Sequence, residues 1–217
     1  MLAICLASYG QTHYKSRVSV GAKAGMSFAR LDLSPSVPQS WLIASNGAVT
    51  FRYAEEKLFG LVAELGWSQR GWKENFEESP LQYQRTLTYI NLPIMTQIIF
   101  GSRRAKCFIN LGPQIAFMVG ETIKSNFDYF NLGSVTNWPI RRRRTEQLAM
   151  PINNKFDYGI AGGLGGEFYI QPRHSFTVEA RYYFGLGNIF RARKSDVFGA
   201  SRCTAIEVTL GYNFRLK

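Results

Sequence analysis

The chain has 217 residues, enough for one domain with a sizeable buried interior, and no Pro- or Ser-rich linker divides it. Its net charge of +11 admits a nucleic-acid binder, a membrane surface or an anionic-lipid partner, so the position of the charge must decide. Aromatics at 14% and 20 glycines lean toward an all-β chain, and no apolar run approaches the roughly 20 residues of a membrane-spanning helix.

Residues 1–10 carry an apolar stretch, Leu2 to Ala7, followed by the small-x-small pattern Ser8-Tyr9-Gly10. They read as a remnant signal peptide without its basic region, which leaves 11–217 as a single domain. Cys5 follows Ile4 rather than a small residue, so lipidation is not expected.

From there the dominant pattern is period two, which in a strand sends successive side chains to opposite faces. Val18, Val20, Ala22, Ala24, Met26 and Phe28 alternate with Ser19, Gly21, Lys23, Gly25 and Ser27. Further strands are predicted over Ser45–Tyr53, Leu58–Arg70, Tyr83–Phe100, Lys106–Val119, Phe156–Tyr169 and Ser175–Phe184. In the last strand Ile206, Val208, Leu210, Tyr212 and Phe214 alternate with Ala205, Glu207, Thr209, Gly211 and Asn213. A tilted strand that crosses a membrane needs about 9–11 residues, whereas an ordinary globular strand averages five or six. The lengths favour crossing.

The links alternate as well. Short turns lie near Ala54–Lys57, Gly101–Arg104 and Gln171–His174, and long links span about 29–44, 71–82, 120–155 and 185–202. Outer-membrane barrels segregate short periplasmic turns from long external loops in this way. With the first strand running outward, Phe28, Trp67, Phe117, Tyr158 and Tyr182 form an outer aromatic belt. Tyr53, Phe59, Phe100, Phe168, Phe176, Tyr212 and Phe214 form an inner one, as expected at two lipid interfaces. The expected fold class is therefore all-β, an eight-stranded antiparallel up-and-down transmembrane β-barrel.

The opposite face carries Lys23, Arg52, Glu64, Asp157, Glu167, Glu179, Arg181 and Glu207 among glycines. An apolar soluble core would exclude these charges, but a narrow barrel can pair them across its lumen. Lys23, Arg52, Glu64, Glu167, Glu179, Arg181 and Glu207 are the candidate interior charge network, and the interior is expected to be a polar plug rather than a pore. Gly159-Ile-Ala-Gly-Gly-Leu-Gly-Gly166 fails the nucleotide-binding fingerprint because Phe168 occupies the third-glycine position and no helix follows. Gly159, Gly163 and Gly165 instead clear lumenal space.

Arg141, Arg142, Arg143 and Arg144 concentrate charge in the longest loop, and Arg191, Arg193, Lys194 and Arg202 give the last loop the same sign. No recognition motif surrounds them, so nucleic acid is not an expected partner. A solvated loop or contact with lipopolysaccharide phosphates suits arginine's forked donors. Of the two histidines, His13 precedes the barrel and His174 falls in a periplasmic turn, so neither can organise a catalytic site at the outer rim. No Cys/His spacing suits a metal, and Cys107 and Cys203 sit in strands far apart in the order. No catalytic residue, metal or cofactor is expected.

Val20-Gly-Ala-Lys-Ala-Gly-Met-Ser27, Tyr89-Ile-Asn-Leu-Pro93, Leu111-Gly-Pro113, Arg181-Tyr-Tyr-Phe-Gly-Leu-Gly-Asn-Ile189 and Leu210-Gly-Tyr-Asn-Phe214 occur in an order that resembles the Bacteroidetes outer-membrane β-barrel family that includes PorT-like proteins. The resemblance covers nearly all of the mature chain. It implies an eight-stranded barrel without a cofactor and a C-terminal segment read by the barrel-assembly machinery, although Arg215 to Lys217 follow the final aromatic. The expected role is non-enzymatic, acting through external loops or a membrane partner. An accessory of protein secretion and a small solute channel are the alternatives. The expected partners are outer-membrane lipid, lipopolysaccharide phosphates and a secretion or envelope protein.

Overall fold

The computed structural model describes residues 16–54, 58–76, 79–102, 104–135, 138, 144–192 and 196–216. The N-terminal segment read as a signal peptide lies outside them. Among the described residues nine strands form in chain order: β1 (Arg17–Ser34), β2 (Gln39–Ser40), β3 (Leu42–Ala54), β4 (Phe59–Glu74), β5 (Tyr83–Gly101), β6 (Ala105–Ser125), β7 (Phe156–Gln171), β8 (His174–Gly185) and β9 (Ala200–Arg215).

Eight of these close a ring. Each strand pairs antiparallel with its sequence neighbour, except that β3 rather than the two-residue β2 follows β1, and β9 returns to β1. The β4–β5 pairing, from Phe59↔Ile98 to Lys73↔Gln84, completes the circle and leaves no long edge. β2 lies beside the loop end of β4 through Gln39↔Glu74. There β1 has run past its last β3 partner, Ala29↔Leu42, and Gln39 replaces the missing strand. Its Nε2 donates to the Leu31 carbonyl at 2.9 Å, and its Oε1 accepts from the Leu31 N–H at 3.1 Å.

Alternation resolves into the expected faces. Val49, Leu65, Ile94, Leu111, Leu164, Val208 and Leu210 point outward and exposed, while Thr50, Glu64, Asn110 and Thr209 on the same strands are buried in the lumen. The expected belt residues Trp67, Phe117, Tyr158 and Tyr182 are exposed near the loop end, and Phe59, Phe100, Phe168, Phe176 and Tyr212 near the turn end.

The strands are longer than the sequence pattern predicts. β1 runs to Ser34 instead of Phe28, β4 to Glu74 instead of Arg70, and β6 to Ser125 instead of Val119. In these extensions the polarity of the two faces inverts. Arg30, Lys73, Thr122 and Lys124 point outward, whereas Leu31, Leu33, Trp72 and Ile123 point inward. The barrel wall has left the lipid at this level, so its outer face meets water and its inner face can bury hydrocarbon. The expected long links 29–44, 71–82 and 120–155 are correspondingly shorter.

Candidate functional site: the layered lumen

Lys23 of β1, Glu64 of β4, and Glu179 and Arg181 of β8 face one another because lumenal positions recur every second residue. Lys23 Nζ lies 2.9 Å from Glu64 Oε1 and 3.0 Å from Glu179 Oε2. Arg181 donates from Nη1 to Glu64 Oε2 at 2.8 Å and from Nη2 to Glu64 Oε1 at 3.0 Å, and reaches Glu179 Oε1 at 2.8 Å. Asn110 Nδ2 donates to Glu179 Oε1 at 2.8 Å, and Gln97 Nε2 donates to Asn110 Oδ1 at 3.0 Å. Two cations and two carboxylates cancel, and the surrounding amides take up remaining lone pairs. Buried charge requires that degree of satisfaction.

The predicted interior network is thus brought together in part. Arg52 and Glu167 form a separate pair at the turn end, 3.4 Å apart, with Ser175 Oγ donating to Glu167 at 2.6 Å. Glu207 is buried and is the β9 register neighbour of Arg181, but its Oε1 has no hydrogen-bond partner.

Arg70 was not among the predicted network residues, yet it centres the next layer. Fully buried, it lies 3.2 Å from Asp157 Oδ2, donates from Nε to Ser68 Oγ at 3.2 Å, and sits over the rings of Tyr183 and Tyr89 at 4.1 and 4.8 Å. Tyr183 donates its hydroxyl proton to Asp157 at 2.9 Å. The signal for this layer was the parity of Arg70, six residues on from Glu64 and hence on the same face. Its position at a predicted strand end concealed it.

The glycine-rich stretch of β7 makes room as expected. A methyl group at Gly165 would lie 2.4 Å from the Phe108 ring and 2.5 Å from the Val178 carbonyl oxygen. One at Gly163 would lie 3.2 Å from the Arg181 Cβ.

Above Arg70 the lumen turns apolar, a departure from the expected polar plug. Leu31, Leu33, Trp72, Tyr83, Leu87, Met118, Leu148, Phe190 and Phe198 pack together at the loop end. The loops fold inward to supply this cap. A single helical turn, α1 (Glu146–Ala149), buries Leu148, whose carbonyl accepts from the Tyr83 hydroxyl at 2.7 Å. Arg85 bonds Glu121 through Nε and the Met150 carbonyl through Nη1 at 2.7 Å, while Gln147 Nε2 donates to Glu74 Oε1 at 3.1 Å. Phe76, Phe127 and Trp138 add edge-to-face aromatic contacts.

Of the basic loop run, Arg144 is exposed and its carbonyl accepts from Gln147 at 3.0 Å. Arg141, Arg142 and Arg143 lie outside the described residues, as do Arg193 and Lys194. Cys107 is exposed and Cys203 buried, both free. Among the described residues no cluster of His, Cys, Asp and Glu could hold a metal, and no helix is long and apolar enough to cross a membrane.

A closed antiparallel ring with an apolar exterior, two aromatic belts and a charged lumen defines an outer-membrane β-barrel. The sequence matches the outer membrane protein beta-barrel domain family over residues 9–191, and the chain belongs to that family of the bacterial outer membrane. Among solved structures it is similar to OprG from Pseudomonas aeruginosa, with a TM-score of 0.53 at 12% identity over 93% of this chain and 95% of that one. It is also similar to Ail of Yersinia pestis, solved with the heparin analogue sucrose octasulfate, at TM-score 0.45 and 11% identity over 93% of this chain and 100% of that one. Neisserial surface protein A gives TM-score 0.45 and 12% identity over 93% and 99%. At 12% identity the likeness to OprG speaks to fold alone. No curated protein matches the sequence.

Proposed function

We propose that the protein is a non-enzymatic outer-membrane barrel that works through its loop end, as a rigid platform for an envelope partner rather than as a channel. The observation that supports this is a lumen closed twice over. The Lys23–Glu64–Glu179–Arg181 layer crosses it, and the apolar cap of Leu31, Trp72, Leu148 and Phe190 closes the mouth above. An ion crossing this lumen would have to displace a satisfied charge network, and a substrate would have to displace the cap.

Photo-crosslinking in intact cells tests this reading. A crosslinker at exposed Phe130 in the loop end is expected to capture a defined envelope component, and one at lipid-facing Leu164 only lipid. Stable single-channel conductance from the purified protein in planar bilayers would overturn it. The more specific role, an accessory of protein export, rests on the order of the sequence motifs. It requires that deletion trap secreted cargo in the periplasm, and unchanged secretion would remove it.

A further inference from the structure

We infer that the turn end of the barrel is a binding site for a phosphate-bearing anion. Arg17 opens β1, Lys106 is the second residue of β6, Arg215 closes β9 and Arg104 stands in the β5–β6 turn. Chain reversal at this end brings all four to one cleft of about 660 Å³, together with Tyr169 near the end of β7. That volume is within the usual range of small-ligand sites, roughly 300–1,000 Å³.

Charge distinguishes this end from the rest of the lumen. The central layer balances two cations with two carboxylates. Arg104, Lys106 and Arg215 line the cleft, and none of its described lining residues is a carboxylate. The nearest lumenal acid, Glu167, is the register partner of Lys106 on β7, but Arg52 and Ser175 already hold its carboxylate. Lys106 Nζ and the Arg215 guanidinium each lie 5.1 Å from the centroid of the Tyr169 ring. Both cations therefore sit against one aromatic ring at the mouth of the cleft. Like charges gathered against protein walls repel and focus a positive potential that favours a multiply charged anion. Guanidinium forks match phosphate oxygens two at a time.

The lip of the cleft fits the same ligand. Ile170 is exposed there beside Gly101 and Pro172, and next along the strands come the lipid-facing belt residues Phe168 and Phe100. The cations thus lie at headgroup depth, reachable by a phospholipid phosphate of the inner leaflet and by a soluble phosphate ester of the periplasm.

Calorimetric titration of inorganic pyrophosphate into the refolded full chain, in phosphate-free maltoside micelles, tests the site. Saturable binding is expected, weakened at least about tenfold by Lys106→Gln with Arg215→Gln and unchanged by Lys73→Gln at the opposite end. Each single variant should give an intermediate loss, and heat-modifiable migration confirms that the barrels have closed. Repeating the titration in nanodiscs containing phosphatidylglycerol separates the sources. Suppressed pyrophosphate binding marks a lipid headgroup as the occupant, and retained binding marks a soluble phosphate; both support the site. No saturation up to about 10 mM, or equal binding by the double variant, overturns it. Binding of hexaglutamate that pyrophosphate does not displace also overturns it, in favour of an acidic peptide.

Discussion

Arg181 grips Glu64 across the barrel with both terminal nitrogens, Nη1 to Oε2 at 2.8 Å and Nη2 to Oε1 at 3.0 Å, joining β8 to β4 through the lumen. Removing the guanidinium leaves Glu64 and Glu179 with Lys23 as their remaining cation in this layer. Arg181→Met should therefore destabilise the folded barrel by about 3–5 kcal/mol. Urea titration followed by heat-modifiable migration measures it. Adding Glu64→Gln restores the balance and should recover a substantial part of the loss.

Arg85 pins the longest loop. Its Nη1 holds the Met150 carbonyl at 2.7 Å and its Nε holds Glu121, beneath the turn that buries Leu148. Arg85→Gln should free the segment around 144–150 without opening the strands below. Limited proteolysis is expected to cut there at least about tenfold faster while migration of the folded barrel is unchanged.

Gly71 sits at φ +149°, where a Cβ would come within 2.1 Å of the Arg85 carbonyl oxygen. The obstacle is backbone, which cannot swing aside. Gly71→Ala should cost about 1–3 kcal/mol, read by the same urea titration, and should increase cleavage near 144–150 as Arg85→Gln does.

The two barrel cysteines should differ in reactivity. Cys107 faces outward near the turn end and Cys203 is wholly buried under the cap. With Cys5 replaced by Ser, a membrane-permeant maleimide should add once to the folded protein and a second time only after unfolding. Mass spectrometry counts the adducts. Rapid modification of Cys203 in the folded barrel would show that the cap opens.

The membrane-embedded part of the fold was legible because lipid imposes one rule on every strand. Val18 to Phe28 and Ile206 to Phe214 alternate cleanly for that reason. The upper part was not. Arg30-Leu31-Asp32-Leu33 alternates as strictly as the strand before it, but with polarity reversed, so a reading tuned to an apolar exterior ends β1 too soon. In β6 a register shift, Thr88↔Gly120 followed by Tyr89↔Met118, switches the lumenal parity. Met118 and Glu121 can then both face inward, which no fixed period anticipates. The candidate charges, Arg70 apart, were identifiable singly from parity. Their division into Arg52/Glu167, the central four and Arg70/Asp157 depends on strand stagger, which only the ring supplies.

The central layer draws Lys23 from the first strand and Glu179 and Arg181 from the penultimate one, and the seam that joins β1 to β9 sets Lys23 opposite Gly211. A Cβ at Gly211 would lie 3.1 Å from the Lys23 Cβ. If the two chain ends zipped together two residues out of step, Thr209 or Asn213 would crowd the lysine and displace it from both carboxylates. The four charges therefore find all their partners when the first and last strands meet in the register that sets Lys23 against Gly211.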